Sequence, residues 1–136
     1  MKHPAAHVGR TTVRVRYAET DKMGVVYHAN YLIWFEIGRT SWLRDTGWSY
    51  RHMEDEGLAL PVIAAHCEYA QSARYDDELE VRTRASLLSP VRIRFDYEVA
   101  KDGDAAALAT GYTVHVTLDR QGRAVRLPER VRELFA

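Results

Sequence analysis

Between Tyr17 and Tyr31 the chain reads Tyr-Ala-Glu-Thr-Asp-Lys-Met-Gly-Val-Val-Tyr-His-Ala-Asn-Tyr, and this stretch gathers the residues best suited to chemistry. Asp21 places a carboxylate three residues before Gly24, a residue that lets a loop approach other backbone closely. Asn30 is a good helix cap. The unpaired N–H groups and the positive dipole end of a helix are therefore expected just behind the loop. Such donors stabilise the oxyanion formed when a carbonyl is attacked, and one of them lowers the barrier by roughly 3–4 kcal/mol in well-studied enzymes. A base or nucleophile beside an oxyanion site is the minimum that acyl transfer requires. The competing reading of Asp21 is a side chain that caps its own turn, a common role of Asp in loops.

These residues need elements to position them. Thr11 to Ala18 alternates, with Val13, Val15 and Tyr17 set against Arg14 and Arg16, which predicts a half-buried strand. A helix is expected from Asn30 to a stop at Gly47, interrupted only by Gly38. Tyr31, Leu32, Ile33, Trp34, Phe35 and Ile37 wrap nearly the whole circumference of its first two turns. A helix apolar all round must be buried on most sides, which in a small domain calls for a sheet curling around it. Glu36, Arg39 and Arg44 then need a wet edge or polar partners. A short second helix is expected from Ser49 to Glu56.

The remainder is strand-like: Leu60 to Ala70, Glu78 to Leu88, Val91 to Ala100, Ala107 to Leu118 and the short Ala124 to Leu127. Lys101-Asp102-Gly103-Asp104 and Asp119-Arg120-Gln121-Gly122 read as turns, and Pro128 as the opening of a brief terminal helix. Strands segregated from helices predict an α+β fold. The expected architecture is a long central helix wrapped by a curved antiparallel sheet of five to six strands. It forms one domain over 11–136, behind a flexible N-terminal tail, 1–10.

Composition narrows the function. The 136 residues carry nineteen basic and nineteen acidic side chains, so no global field favours nucleic acid or an anionic membrane. No stretch reaches the ~18 apolar residues of a membrane span, and the first ten residues lack a signal-peptide core. Cys67 is the single cysteine, which points to a reducing, cytoplasmic setting, and its apolar context reads as a small buried hydrophobe. His52, His66 and His115 stand singly without metal-ligand spacing, and His3 and His7 belong to the tail. No metal is expected.

The run from Tyr17 to Tyr31, continuing through Leu32-Ile33-Trp34-Phe35-Glu36-Ile37-Gly38-Arg39-Thr40-Ser41-Trp42-Leu43-Arg44, resembles the 4-hydroxybenzoyl-CoA thioesterase family. It is most similar to the YbgC-like branch of bacterial acyl-CoA thioesterases, which have the hotdog fold. The matching positions are Thr20-Asp21, Gly24, Val25-Val26 and Tyr27-His28-Ala29-Asn30-Tyr31, with further likeness at Ala73 to Leu79 and Gly122 to Pro128. Glu19 stands where many members have Asp, which keeps the charge. The resemblance implies that Asp21 attacks an acyl-CoA thioester, or activates a water that does. It implies that the His28 backbone N–H polarises the carbonyl, while Thr20, Gly24, Tyr27, Asn30 and Tyr31 contact substrate. It also implies no cofactor, and a homodimer or homotetramer whose sites lie between subunits, with an acyl carrier protein as an alternative thioester donor.

Glu36 is a second carboxylate, for which a salt bridge with Arg39 or a polar contact at the helix edge is the simpler expectation. The Arg82/Arg84 and Arg92/Arg94 pairs suit cross-strand partners such as Asp96 and Glu98, with CoA phosphate binding the sharper idea for them and for Arg74. A hotdog hydratase or dehydratase pairs its acid with a catalytic His at shorter spacing than that between Asp21 and His28. A non-catalytic acyl-CoA-binding module predicts loss of the acidic residue. Tyr27, Trp34, Trp42 and Trp48 suit an aromatic-friendly pocket, but aromatics in the helix are expected mainly as core.

Overall fold

The computed structural model describes residues 7–135. Five strands, β1 (Gly9–Arg14), β2 (Val62–Tyr69), β3 (Glu78–Ser89), β4 (Arg92–Lys101) and β5 (Ala107–Val116), form one sheet in the order β1-β3-β4-β5-β2. Every neighbouring pair is antiparallel. The helices are α1 (Asn30–Asp45), α2 (Tyr50–Asp55) and α3 (Glu129–Phe135). This is the expected α+β hotdog arrangement, with five strands.

Alternation explains the sheet. In β4, Ile93, Phe95, Tyr97 and Val99 are buried, and in β3, Leu79, Val81, Thr83 and Ala85. The inner face of these strands carries α1 through Tyr31, Trp34, Phe35, Gly38, Trp42 and Leu43. Phe35 lies flat on Tyr97, ring centroids 4.3 Å apart, and Trp42 packs edge-on against Phe95. Each large apolar side chain buried in this way contributes roughly 1.5–3 kcal/mol.

Several expectations are corrected. Of the proposed tail, residues 1–6 lie outside the described residues, and Gly9 and Arg10 already pair with Thr83 and Arg82 in β1. That strand ends at Arg14, and Tyr17 to Glu19 turn into a 3-10 helix that leaves Tyr17 exposed. Ala124 to Leu127 forms only an isolated bridge between Leu118 and Ala124.

The helix is not enclosed either. Leu32, Ile33 and Ile37 remain 39–50% exposed, because the sheet covers one side of α1 and nothing among the described residues covers the other. Beside that open face runs β2, which among the described residues is an edge strand bonded only to β5, with Val62 and Ile63 nearly half exposed. Leu32, Ile33, Glu36, Arg39, Val62, Ala65 and Thr113 line one groove of about 250 Å³ between them.

Candidate active site

The loop before α1 folds back as a tight hairpin, and its anchor is the Glu19 carbonyl. That oxygen accepts the Tyr27 N–H at 2.9 Å and the Asn30 side-chain amide at 2.8 Å. Thr20 bridges Val26, and the Asp21 N–H donates to the Val25 carbonyl at 2.8 Å. The Glu19 carboxylate is buried against its own loop, accepting the Arg16 N–H at 2.7 Å. The side chain therefore serves the hairpin's shape.

Asp21 sits at the tip, half-buried. Its Oδ1 accepts the N–H of Met23 at 2.8 Å and of Val25 at 3.4 Å, while its second oxygen has no partner among the described residues. The turn-cap reading thus holds for one oxygen and leaves the other without a partner among the described residues. Gly24 has φ +81°, and a Cβ there would meet nothing within 4 Å. The position needs glycine for its left-handed backbone, not for the close approach expected from sequence.

Asn30 is the first residue of α1 and not its cap: the cap is Ala29, without a side-chain bond. The Asn30, Tyr31 and Leu32 N–H groups are taken by the carbonyls of Tyr27, His28 and Ala29. Among the described residues no acceptor takes the N–H of His28 or Ala29. Two unshared donors therefore stand at the amino end of the helix.

The remaining expected site residues are placed as follows. The Thr20 hydroxyl donates to the Tyr17 carbonyl at 2.7 Å. Tyr27 is half exposed, its ring 4.5 Å from the exposed His28 imidazole. Tyr31 is buried, and its hydroxyl accepts the Ala73 N–H at 3.1 Å. Burial raises the Tyr31 pKa above its ordinary value, which keeps the phenol neutral. Tyr27 and His28 thus face outward, whereas Thr20, Asn30 and Tyr31 spend their polar atoms holding the loop.

Two further residues contribute from outside the loop. Tyr69, at the end of β2, donates its hydroxyl to the His28 carbonyl at 3.0 Å. Ala73 accepts the Val26 N–H at 2.9 Å. Tyr69 lies 41 residues from His28 and Ala73 lies 42 from Tyr31, beyond the reach of local patterning. The rivals are elsewhere: Glu36 is exposed beside Ile33 and Ile37, and Arg39 bonds Tyr50 at 3.0 Å in place of the expected Glu36. Arg82 is held by Glu80 and by the carbonyls of Asp104 and Ala105, and Arg94 by Asp96. Cys67 is half-buried. Among the described residues no His, Cys, Asp and Glu cluster is arranged to hold a metal, and no helix is long and apolar enough to cross a membrane.

The site thus combines a carboxylate oxygen without a partner among the described residues, on a hairpin tied to the start of α1, with two unshared amides just before that helix, on a five-stranded hotdog sheet. The thioesterase-like superfamily matches residues 15–135. Acyl-CoA thioesterase YbgC of Haemophilus influenzae is 34% identical over 124 residues, covering 90% of each chain. The crystal structure of DHNA-CoA thioesterase from Staphylococcus aureus superposes with TM-score 0.82 at 34% identity, over 88% of this chain and 80% of that one. A hypothetical protein from Aquifex aeolicus gives TM-score 0.86 at 35% identity, over 93% and 98%. The chain belongs to the thioesterase-like superfamily, and its class is that of the thioester hydrolases.

Proposed function

We propose that the protein hydrolyses a small acyl-CoA thioester to the free acid and CoA. Asp21 acts as nucleophile or general base, and the His28 N–H polarises the carbonyl. The supporting observation is the pair of hydrogen bonds accepted by the Glu19 carbonyl, which tie the Asp21 hairpin to a helix start preceded by the unshared His28 and Ala29 amides. In the nucleophilic route the unpartnered Asp21 oxygen bonds to the thioester carbon and the carbonyl electrons move to oxygen. The C–S bond then breaks, CoA leaves as thiolate, and water hydrolyses the resulting anhydride. In the general-base route Asp21 takes a proton from the water that attacks. A thiolate needs little acid help, so the outward His28 imidazole is free of that duty.

Gly24 and Tyr27 face the substrate in this reading, and Thr20, Asn30 and Tyr31 shape the loop around it. The aromatic edges of Tyr27, Tyr31 and Tyr69 favour an acyl group with a flat or apolar body. A cytoplasmic location agrees with the single unpaired cysteine. The working unit is a homodimer, or a tetramer built from it. The uncovered apolar face of α1 and the unpaired β2 edge lie side by side, and a second copy related by a two-fold axis would cover both.

The test is thiol release from a panel of CoA and carrier-protein thioesters by wild type and Asp21→Asn. The variant should lose ~10²-fold or more in kcat on at least one substrate while keeping its fold. The Asn oxygen can still accept the Met23 N–H, so the turn survives. A fully active Asp21→Asn refutes the assignment, and a wild type inert on every thioester refutes the activity.

A further inference from the structure

We infer that Tyr69, reaching in from the sheet edge, is a positioning residue that orients the His28–Ala29 peptide, so that the Ala29 N–H joins the His28 N–H as a second donor to the thioester oxygen. The inference rests on the thioesterase reading above and deepens it. The Tyr69 hydroxyl donates to the His28 carbonyl at 3.0 Å across 41 residues of sequence. That carbonyl belongs to the same peptide unit as the Ala29 N–H, one of the two unshared donors. A donor on the carbonyl fixes the plane of that peptide. It also polarises it, so the N–H at its other end becomes a stronger donor.

The ring is held for this task. It meets Tyr31 edge-on at 5.1 Å and His28 edge-on at 6.2 Å. The strand end behind it is pinned, with the N–H groups of Ala70 and Gln71 both on the Leu108 carbonyl. Three bonds then stitch the Tyr69–Ala73 segment to the Val26–Tyr31 segment: Tyr69 to His28, Ala73 to Tyr31, and Val26 to Ala73. Desolvation first, and the contact with Cys67 second, push the Tyr69 hydroxyl up to about 12, so it stays a proton donor at any pH where hydrolysis would be assayed.

Stability alone gives a weak account of the bond. The His28 carbonyl already accepts the Tyr31 N–H at 3.3 Å, and Tyr69 is 46% exposed. A hydrogen bond at such a site largely replaces one to water. Its distinctive effect is on direction.

The experiment compares wild type, Tyr69→Phe and Tyr69→Leu by thiol release, thermal unfolding and isotope-edited infrared spectroscopy. The spectra are taken on an acyl-CoA labelled with carbon-13 at its carbonyl and bound to the Asp21→Asn form of each. Tyr69→Phe should lose about five- to twenty-fold in kcat, less than the ~10²–10³ of deleting a direct donor. KM and the unfolding temperature should be unchanged, and the downward shift of the bound carbonyl stretch should shrink. Tyr69→Leu, which also removes the ring contacts, should lose more. Unaltered kcat and carbonyl frequency in Tyr69→Phe would overturn the inference, as would a kcat loss matched by lower stability with no spectral change. If wild type hydrolyses nothing, or Asp21→Asn is fully active, the functional reading fails before this question arises.

Discussion

The Asn30 carboxamide donates to the Glu19 carbonyl at 2.8 Å, bonding the first residue of the helix to the base of the hairpin that carries Asp21. Removing it with Asn30→Ala leaves the Tyr27 N–H on the same oxygen, so the loss should be about 1 kcal/mol. For a chain of this size that lowers the unfolding temperature by roughly 3–5 °C. Activity should fall further than stability, about ten-fold in kcat, because the hairpin and helix can then shift apart. Asn30→Asp should be at least as damaging, since a carboxylate cannot donate to a carbonyl. Circular-dichroism melts beside thiol release test this, and an Asn30→Ala enzyme of wild-type kcat would refute the coupling.

Two glycines should fail in different ways. A Cβ at Gly38 would stand 2.5 Å from the Thr83 hydroxyl and 2.8 Å from a Val81 methyl, in the packed layer between α1 and β3. Gly38→Ala should cost about 1–3 kcal/mol by overpacking and leave kcat per folded molecule near wild type. At Gly24 there is room but φ is +81°, so Gly24→Ala should cost about 1–2 kcal/mol through backbone strain alone. It should also lower kcat, because the strained turn is the one that aims Asp21. Urea titrations with activity measured well below the unfolding transition separate the two, and equal kcat losses would contradict this division.

These contrasts show what a linear sequence can carry. The alternation of Ile93, Phe95, Tyr97 and Val99 is local, so β4 was legible, as were β3, β5 and α1 to within a few residues. The Thr20-Asp21…Gly24…His28 run is equally local, and it folds into one hairpin ahead of α1. Tyr17 was misjudged because the alternation of Val13 and Val15 runs on to it, while the Glu19 carboxylate pulls the chain into a 3-10 turn. The apolar circumference of α1 was read as enclosure by its own sheet. Leu32, Ile33 and Ile37 instead lie open, since composition cannot say whose surface covers a residue. Tyr69 was invisible as a partner of His28 because only the β2–β5 pairing brings it there.

Acid should weaken the fold through His115, which is fully buried. Its Nδ1–H donates to the Leu60 carbonyl at 2.9 Å, and its Nε2 accepts from the Thr113 hydroxyl at 2.8 Å, which itself accepts from Tyr97 at 2.6 Å. Protonating Nε2 would reverse that chain. Desolvation, and to a lesser degree the Arg39 charge, hold the His115 pKa down to about 4 from an ordinary 6.5. The unfolded chain therefore binds the extra proton first. Stability is complete above pH 6.5 and is lost progressively as pH falls towards 4, by roughly 3 kcal/mol in all. Urea unfolding at pH 7.5, 6 and 5 should show the decline. His115→Gln should be less stable at pH 7.5 and flatter across that range; an equal decline in the variant would place the titration elsewhere.

The open face of α1 gives the last prediction. Ile33 and Ile37 are 50% and 39% exposed in the protomer, and with Glu36 they occupy the side of the helix away from the sheet. Charged replacements there should cost the isolated fold little, because water already reaches those positions. An interface between two copies is different: four buried carboxylates facing one another across a two-fold axis would carry a desolvation penalty of several kcal/mol each. Ile33→Glu combined with Ile37→Glu should therefore sediment as a folded monomer with an unchanged circular-dichroism spectrum. If the site is completed by a second copy, kcat should drop at least ten-fold, and raising the protein concentration should restore part of it. A double variant that sediments like wild type would show that this face is not the seam, leaving the unpaired β2 edge to be tested alone.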